Sequence, residues 1–169
     1  VRCKCTPFVK TTQGYSNTTL AMTLPITNYQ SLISTLSTSI ATADILSSLT
    51  AACGLAGLGA GLTPSGDDFI LGAILAAWII HPVDVARVLA EKIANTAAPL
   101  TTSLSAAWMK SAGKGEAGIL WHTFFDSLIS DDMMAVQESV RELLAIGHTS
   151  GADALAGFTS IFTSFAKVR

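Results

Sequence analysis

The residues best suited to chemistry lie in one short stretch, Gly59-Ala60-Gly61-Leu62-Thr63-Pro64-Ser65-Gly66-Asp67-Asp68. It joins a glycine-rich turn to the start of an apolar helix and places two adjacent carboxylates there. A glycine-rich lead into a helix exposes backbone amides that can hold an anion. Two acids at the same spot oppose an anion unless a metal ion or a protonated ligand group is present. Carboxylates there suit the N–H groups of an amide or ureido ligand, and Mg²⁺ on Asp67 or Asp68 is chemically permitted. The G-x-x-x-x-G-K-[ST] pattern of a phosphate-binding loop is absent, so nucleotide hydrolysis of that type is not supported.

The stretch has a partial copy. Ser65-Gly66-Asp67-Asp68-Phe69-Ile70-Leu71-Gly72 and Ser150-Gly151-Ala152-Asp153-Ala154-Leu155-Ala156-Gly157 both read S-G-x-D-x-[IL]-x-G, 85 residues apart. Each opens an apolar helix after a glycine-containing loop. In each, the serine and the aspartate three residues on can form a capping box, and the later glycine permits close helix packing. Two capped, closely packed helices would account for the repeat without any ligand. Asp68 has its counterpart in Asp153, whereas Asp67 faces Ala152 in the copy. The helix start therefore explains Asp67 least, and Asp67→Ala is expected to cost binding rather than stability. The two helix starts are expected to lie near each other and share one small-ligand site. Its binding set is Gly61, Thr63, Ser65, Gly66, Asp67, Asp68, Ser105, His148, Ser150, Gly151 and Asp153. Asp67, Asp68 and Asp153 are the catalytic candidates, and no nucleophile–base pair stands out.

The elements that must position these residues read as helices. Tyr29 to Cys53 follows a helical rhythm, and Phe69 to Ile80 is apolar on all sides, as in a helix buried throughout. Pro82 and Pro99 open two further helices, the second closed by Gly113 and Gly115. Glu116 to Ser127 forms a short one. Ser130 caps the next, which stops at Gly147, and Ser150 to Val168 forms the last. Trp78, Trp108 and Trp121 read as core, His81 and His122 as structural, and Lys114-Gly115-Glu116 as a solvated turn. Residues 1–25 read as a weak β segment and 29–168 as helical. The fold class is mainly α, a single domain over 1–169 with a small N-terminal β element.

Composition narrows the functions. Of 169 residues 50% are hydrophobic and 13% charged, about half the usual charged share, which excludes disorder. A net charge of −2 offers no basic surface for nucleic acid. The longest apolar run ends at His81-Pro82, short of the roughly 20 residues a membrane span needs. Cytoplasmic location is expected, with no signal peptide. The odd count of Cys3, Cys5 and Cys53 does not suggest a disulfide framework, and Cys3 and Cys5 read as structural or incidental thiols. So thin a polar coat points to a large core, a hidden interface with other subunits or further copies of the chain, or both. No cofactor is indicated beyond the permitted Mg²⁺.

The string Gly59 to Phe69 resembles a signature of the AllH family, named for a subunit of oxamate carbamoyltransferase. Thr102 to Ala107, Ala112-Gly113 and Ile146 to Asp153 also fit, so the resemblance spans roughly residues 50 to 165. It implies a subunit in the phosphorolysis of oxalurate to oxamate and carbamoyl phosphate, within allantoin and purine catabolism. It further implies two partner subunits, AllG and an FdrA protein. Members usually have a longer N-terminal region, so this chain would be the C-terminal part of a longer architecture. The functional expectation is a carbamoyltransferase subunit that binds a small ureido or carboxylate metabolite at the GLTPSGDD loop. The alternative is a non-catalytic scaffold or binding subunit whose motifs only cap helices.

Overall fold

A computed structural model describes residues 26–168, and in them the chain folds into eight α-helices and one 3-10 turn. The expected N-terminal β segment lies outside the described residues. The helices are α1 (Ile26–Ala41), α2 (Ile45–Leu55), α3 (Ser65–Ile80), α4 (Val83–Ala97), α5 (Ser103–Gly113), α6 (Ile119–Ser130), α7 (Met133–Leu144) and α8 (Ser150–Val168), with the 3-10 turn at Ala98–Leu100. No helix among them is long and apolar enough to cross a membrane.

The centre of the fold is α3, buried from Gly66 to Ala77 except at Leu71. It packs most extensively on α8 and also meets α4 and α5. Glycines let the two central helices touch backbone to backbone. A Cβ at Gly72 would stand 1.8 Å from the Ala154 carbonyl oxygen, and one at Gly157 would stand 2.1 Å from that of Phe69. Around this pair, Ile70, Ile74, Leu89, Ile93, Met109 and Ile161 are fully buried. An aromatic cluster of Trp121, Phe124, Phe125 and Phe158, with ring centroids 5.5–5.9 Å apart, ties α6 to α8.

Local chemistry redraws several expected boundaries. The helix expected from Tyr29 to Cys53 is two helices. Ala43 takes a left-handed conformation (φ 55°), and Asp44 then caps α2 by accepting from the Ser47 amide at 3.2 Å. Asp132, not Ser130, caps α7, accepting from the amides of Met134 and Ala135 at 2.9 and 3.2 Å. Ser130 instead closes α6 by donating to the Ser127 carbonyl. Gly115 ends α5 as the αL residue of a Schellman motif, with Glu116 N–H donating to the Ser111 carbonyl at 3.0 Å and Gly115 N–H to that of Ala112 at 2.9 Å. Cys53 is disulfide-bonded, although the odd cysteine count did not suggest a disulfide framework. His81 is structural as read, its Nε2 2.7 Å from the Ile40 carbonyl oxygen. His122 and Trp108 are exposed rather than packed.

Candidate functional site

The loop between α2 and α3 turns on Gly57 (φ 75°), Gly59 (φ 127°) and Gly61 (φ 90°). Its geometry is held by Asp67. This side chain is only 2% exposed. One carboxylate oxygen accepts from the Gly57 amide at 2.7 Å, and the other accepts from the Thr101 hydroxyl. The start of α5 grips the same loop, since Thr102 donates its hydroxyl to the Leu62 carbonyl at 2.6 Å and Ser105 reaches that oxygen at 3.4 Å. Asp67 and Ser105 therefore both hold this loop, a role for Asp67 that its mismatch with Ala152 did not suggest.

The capping boxes are not formed. Pro64 precedes α3 as its cap residue, and its carbonyl accepts from the amides of Asp67 and Asp68. Asp153 N–H likewise donates to the Thr149 carbonyl. With the caps supplied by backbone, Asp68 and Asp153 do not perform the role the repeat suggested. Each instead keeps its Oδ2 buried and without a hydrogen-bond partner. A buried, unpartnered carboxylate oxygen is costly and calls for an explanation. The expected oxyanion-holding amides are largely engaged as well. Those of Gly66 and Gly151 donate to the carbonyls of Leu58 and Ile146.

The two helix starts meet, as expected. The Thr63 and Ser150 hydroxyls are 2.8 Å apart and bridge the two loops. Beside this bridge opens a cavity of about 630 Å³, within the range of small-molecule sites. Of the expected binding set, Thr63, Asp68, Ser150 and Gly151 line it. Gly61, Ser65, Gly66, Asp67, Ser105, His148 and Asp153 do not. His148 is exposed and does not line the cavity, although its neighbours Ile146, Gly147 and Ser150 do.

Asp68 is 7% exposed, and its carboxyl is pushed up to about 6. Burial is the chief cause; the negative charges of Asp153 and Asp67 add to it, while hydrogen bonding to the hydroxyls of Ser150 and Thr63 works against it. Partial burial raises the Tyr29 phenol on α1, and the charge of Asp153 adds to it. The charge of Asp153 thus reaches Asp68, and of the two equivalent acids only Asp68 lines the cavity.

Sequence reasoning missed the rest of the wall. Leu71, Leu75, Trp108, Ile119 and Trp121 make it mainly apolar, and Glu116 is its second acid. Among the described residues no lysine or arginine lines it. In sequence these side chains look like ordinary core; only the arrangement of α3, α5 and α6 leaves space among them. Among the described residues no three His, Cys, Asp or Glu side chains stand where they could hold a metal ion. Asp67, one of the two acids considered for Mg²⁺, has both oxygens engaged.

These features define a helical protein with a duplicated helix start and a cavity where the copies meet. The family model described as oxamate carbamoyltransferase subunit AllH matches residues 55–162, from the end of α2 into α8. The chain belongs to the AllH family. No solved structure matches it.

Proposed function

We propose that the chain is a subunit of a carbamoyltransferase-type enzyme and binds the ureido or amide end of a small metabolite at Asp68. The observation that carries this reading is the Asp68 Oδ2, buried at the cavity wall with no partner of its own. The N–H groups of a ureido or amide end are suitable donors to an ionised carboxylate. The Thr63 and Ser150 hydroxyls, 2.8 Å apart, stand beside Asp68 and favour its ionised form. An acid group on the metabolite has no cation in this wall to meet it, so it faces away from Asp68. Family membership supports the subunit role, with further subunits as partners.

The scaffold reading accounts for Asp67 and for the glycines at the helix crossing. It leaves Asp68 unexplained, because neither a cap nor a loop contact uses its Oδ2.

The test is carbamoyl transfer by the assembled subunits, with the parent chain or its Asp68→Ala variant. The expected result is a loss of at least about 100-fold in kcat/KM, the scale of a lost charged contact at a reacting ligand, with assembly and melting temperature retained. Parent-like activity in the variant overturns the proposal.

A further inference from the structure

We infer that the cavity is completed by a partner subunit, which seats an apolar surface on its rim and directs an arginine side chain onto Glu116. This rests on the subunit reading above and adds the partner's chemistry. Three observations lead to it.

The first is the rim. Large apolar side chains of the cavity wall stand in solvent. Ile119 is 76% exposed and Trp108 49%, and both line the cavity, as does the exposed Ile146. Leu104 lies one turn before Trp108 on α5 and is exposed too. Leu62 is held at the start of the same helix, where its carbonyl accepts from the Thr102 hydroxyl, and its side chain is also exposed. An exposed apolar group of this kind beside a cavity marks an interaction surface.

The second is charge. The ionisable groups of the wall are Asp68 and Glu116, both acids, and the charges of Asp67 and Asp153 act on Asp68 from behind. Glu116 is exposed. Among the described residues the ion pair is Arg141–Glu138, so Glu116 has no cation of its own. Lys114, two residues away, neither lines the cavity nor pairs with it. A negative field of this kind favours a partner that brings a positive charge.

The third is what stands beside that acid. The Trp108 ring shares the cavity wall with Glu116. A guanidinium can lie on an indole face while its N–H groups donate to a carboxylate, a combination that suits arginine better than lysine. With five N–H donors it can hold Glu116 and also the acid group of a metabolite whose other end faces Asp68. The partner thereby supplies the cation that this wall lacks.

Photo-crosslinking tests the seat, with benzoylphenylalanine in place of Ile119 in the full chain assembled with the other subunits of its enzyme. The expected product joins the chain to a partner subunit at a segment that contains arginine, identified by peptide mass spectrometry. Glu116→Arg should weaken assembly at least about 10-fold, the scale of one close interfacial charge pair, with the melting temperature of the free chain retained. Changing the partner's arginine to glutamate should do the same, and the two changes together should restore most of the loss. If the complex forms but the cross-link goes to this chain itself, to a second copy, to a segment without arginine or to nothing, the inference falls while the subunit reading stands. The same holds if Glu116→Arg assembles like the parent or if the double change restores nothing. If the parent chain forms no complex with those subunits, the subunit reading falls and the inference with it.

Discussion

Gly72 of α3 lies so close to Ala154 of α8 that a methyl group on it would stand 1.8 Å from the Ala154 carbonyl oxygen. Eighty-five residues separate Gly72 from Gly157, and the same number separates Phe69 from Ala154. Gly157 makes the reciprocal approach, to Phe69. The sequence repeat is therefore a structural pseudo-two-fold, with its axis at the α3–α8 crossing. Each copy supplies the glycine that the other copy's backbone requires.

Adding a side chain at that crossing should break it. Backbone on both sides cannot rotate away, so Gly72→Ala and Gly157→Ala should each cost more than about 3 kcal/mol, the upper end of ordinary overpacking. Gly118→Ala is the control, because a Cβ there meets nothing within 4 Å. Denaturant melts of the three variants check this. A Gly72→Ala protein as stable as the parent would show that the two helices can separate at little cost.

Asp67→Ala should be among the most destabilising polar substitutions in the chain. It leaves the Gly57 amide and the Thr101 hydroxyl without their shared acceptor and frees the loop that shapes one end of the cavity. Losing two bonds to a buried carboxylate costs about 2–4 kcal/mol. Thermal or urea denaturation measures it, and a loss under about 1 kcal/mol would return Asp67 to the role its sequence context suggested.

That reversal shows where the sequence was legible. The existence of most helices, the burial of α3 and the meeting of the two helix starts followed from periodicity, from apolar length and from the repeat, all of which are local patterns. The division of labour between Asp67 and Asp68 did not. Comparison with Ala152 showed that the turn can form without an acid, which is true of the copy. It could not show that Gly57 and Thr101, 10 and 34 residues away, converge on Asp67 in this copy alone. The cavity wall was hidden for a related reason. Trp108, Trp121 and Leu71 have the composition of core, and whether core side chains meet or leave a gap depends on helix placement. The loop that carries Thr63 and Asp68 was found because its glycines and acids are unusual in an apolar chain.

Asp68 should make the free chain less stable at neutral pH than at mildly acid pH. Its carboxyl titrates near 6 in the folded protein against an ordinary 3.8, so the folded state binds the proton more tightly than the unfolded state. Its contribution to stability is then most favourable below about pH 4, declines as pH rises through 6, and is flat above that. Allowing for screening through the open mouth of the cavity, the change is about 1–2 kcal/mol. Asp68→Asn should remove this component and match or exceed the parent's stability at pH 7. The difference between parent and variant in urea midpoints from pH 4 to 8 isolates it from the histidines and other acids. A difference that does not vary with pH would show that Asp68 is not the group responsible.

Ligand binding should have the opposite dependence. A ureide offers two N–H donors and needs the ionised carboxylate, so the proton on Asp68 competes with it. Below about pH 6 the affinity should fall roughly tenfold per unit, as expected when one proton must leave for one ligand to bind. Above it the affinity should be constant, and bound ligand should draw the Asp68 titration to lower pH. Urea titrations between pH 5 and 8 provide the measurement. In Asp68→Asn the residual affinity should not vary with pH across that range, whereas His148→Ala should keep the parent profile because that ring is exposed and off the cavity wall. If the parent's affinity stays flat from pH 5 to 8, or if His148→Ala abolishes the slope, the proton that matters is not on Asp68 and the assignment of that carboxylate to the ligand fails.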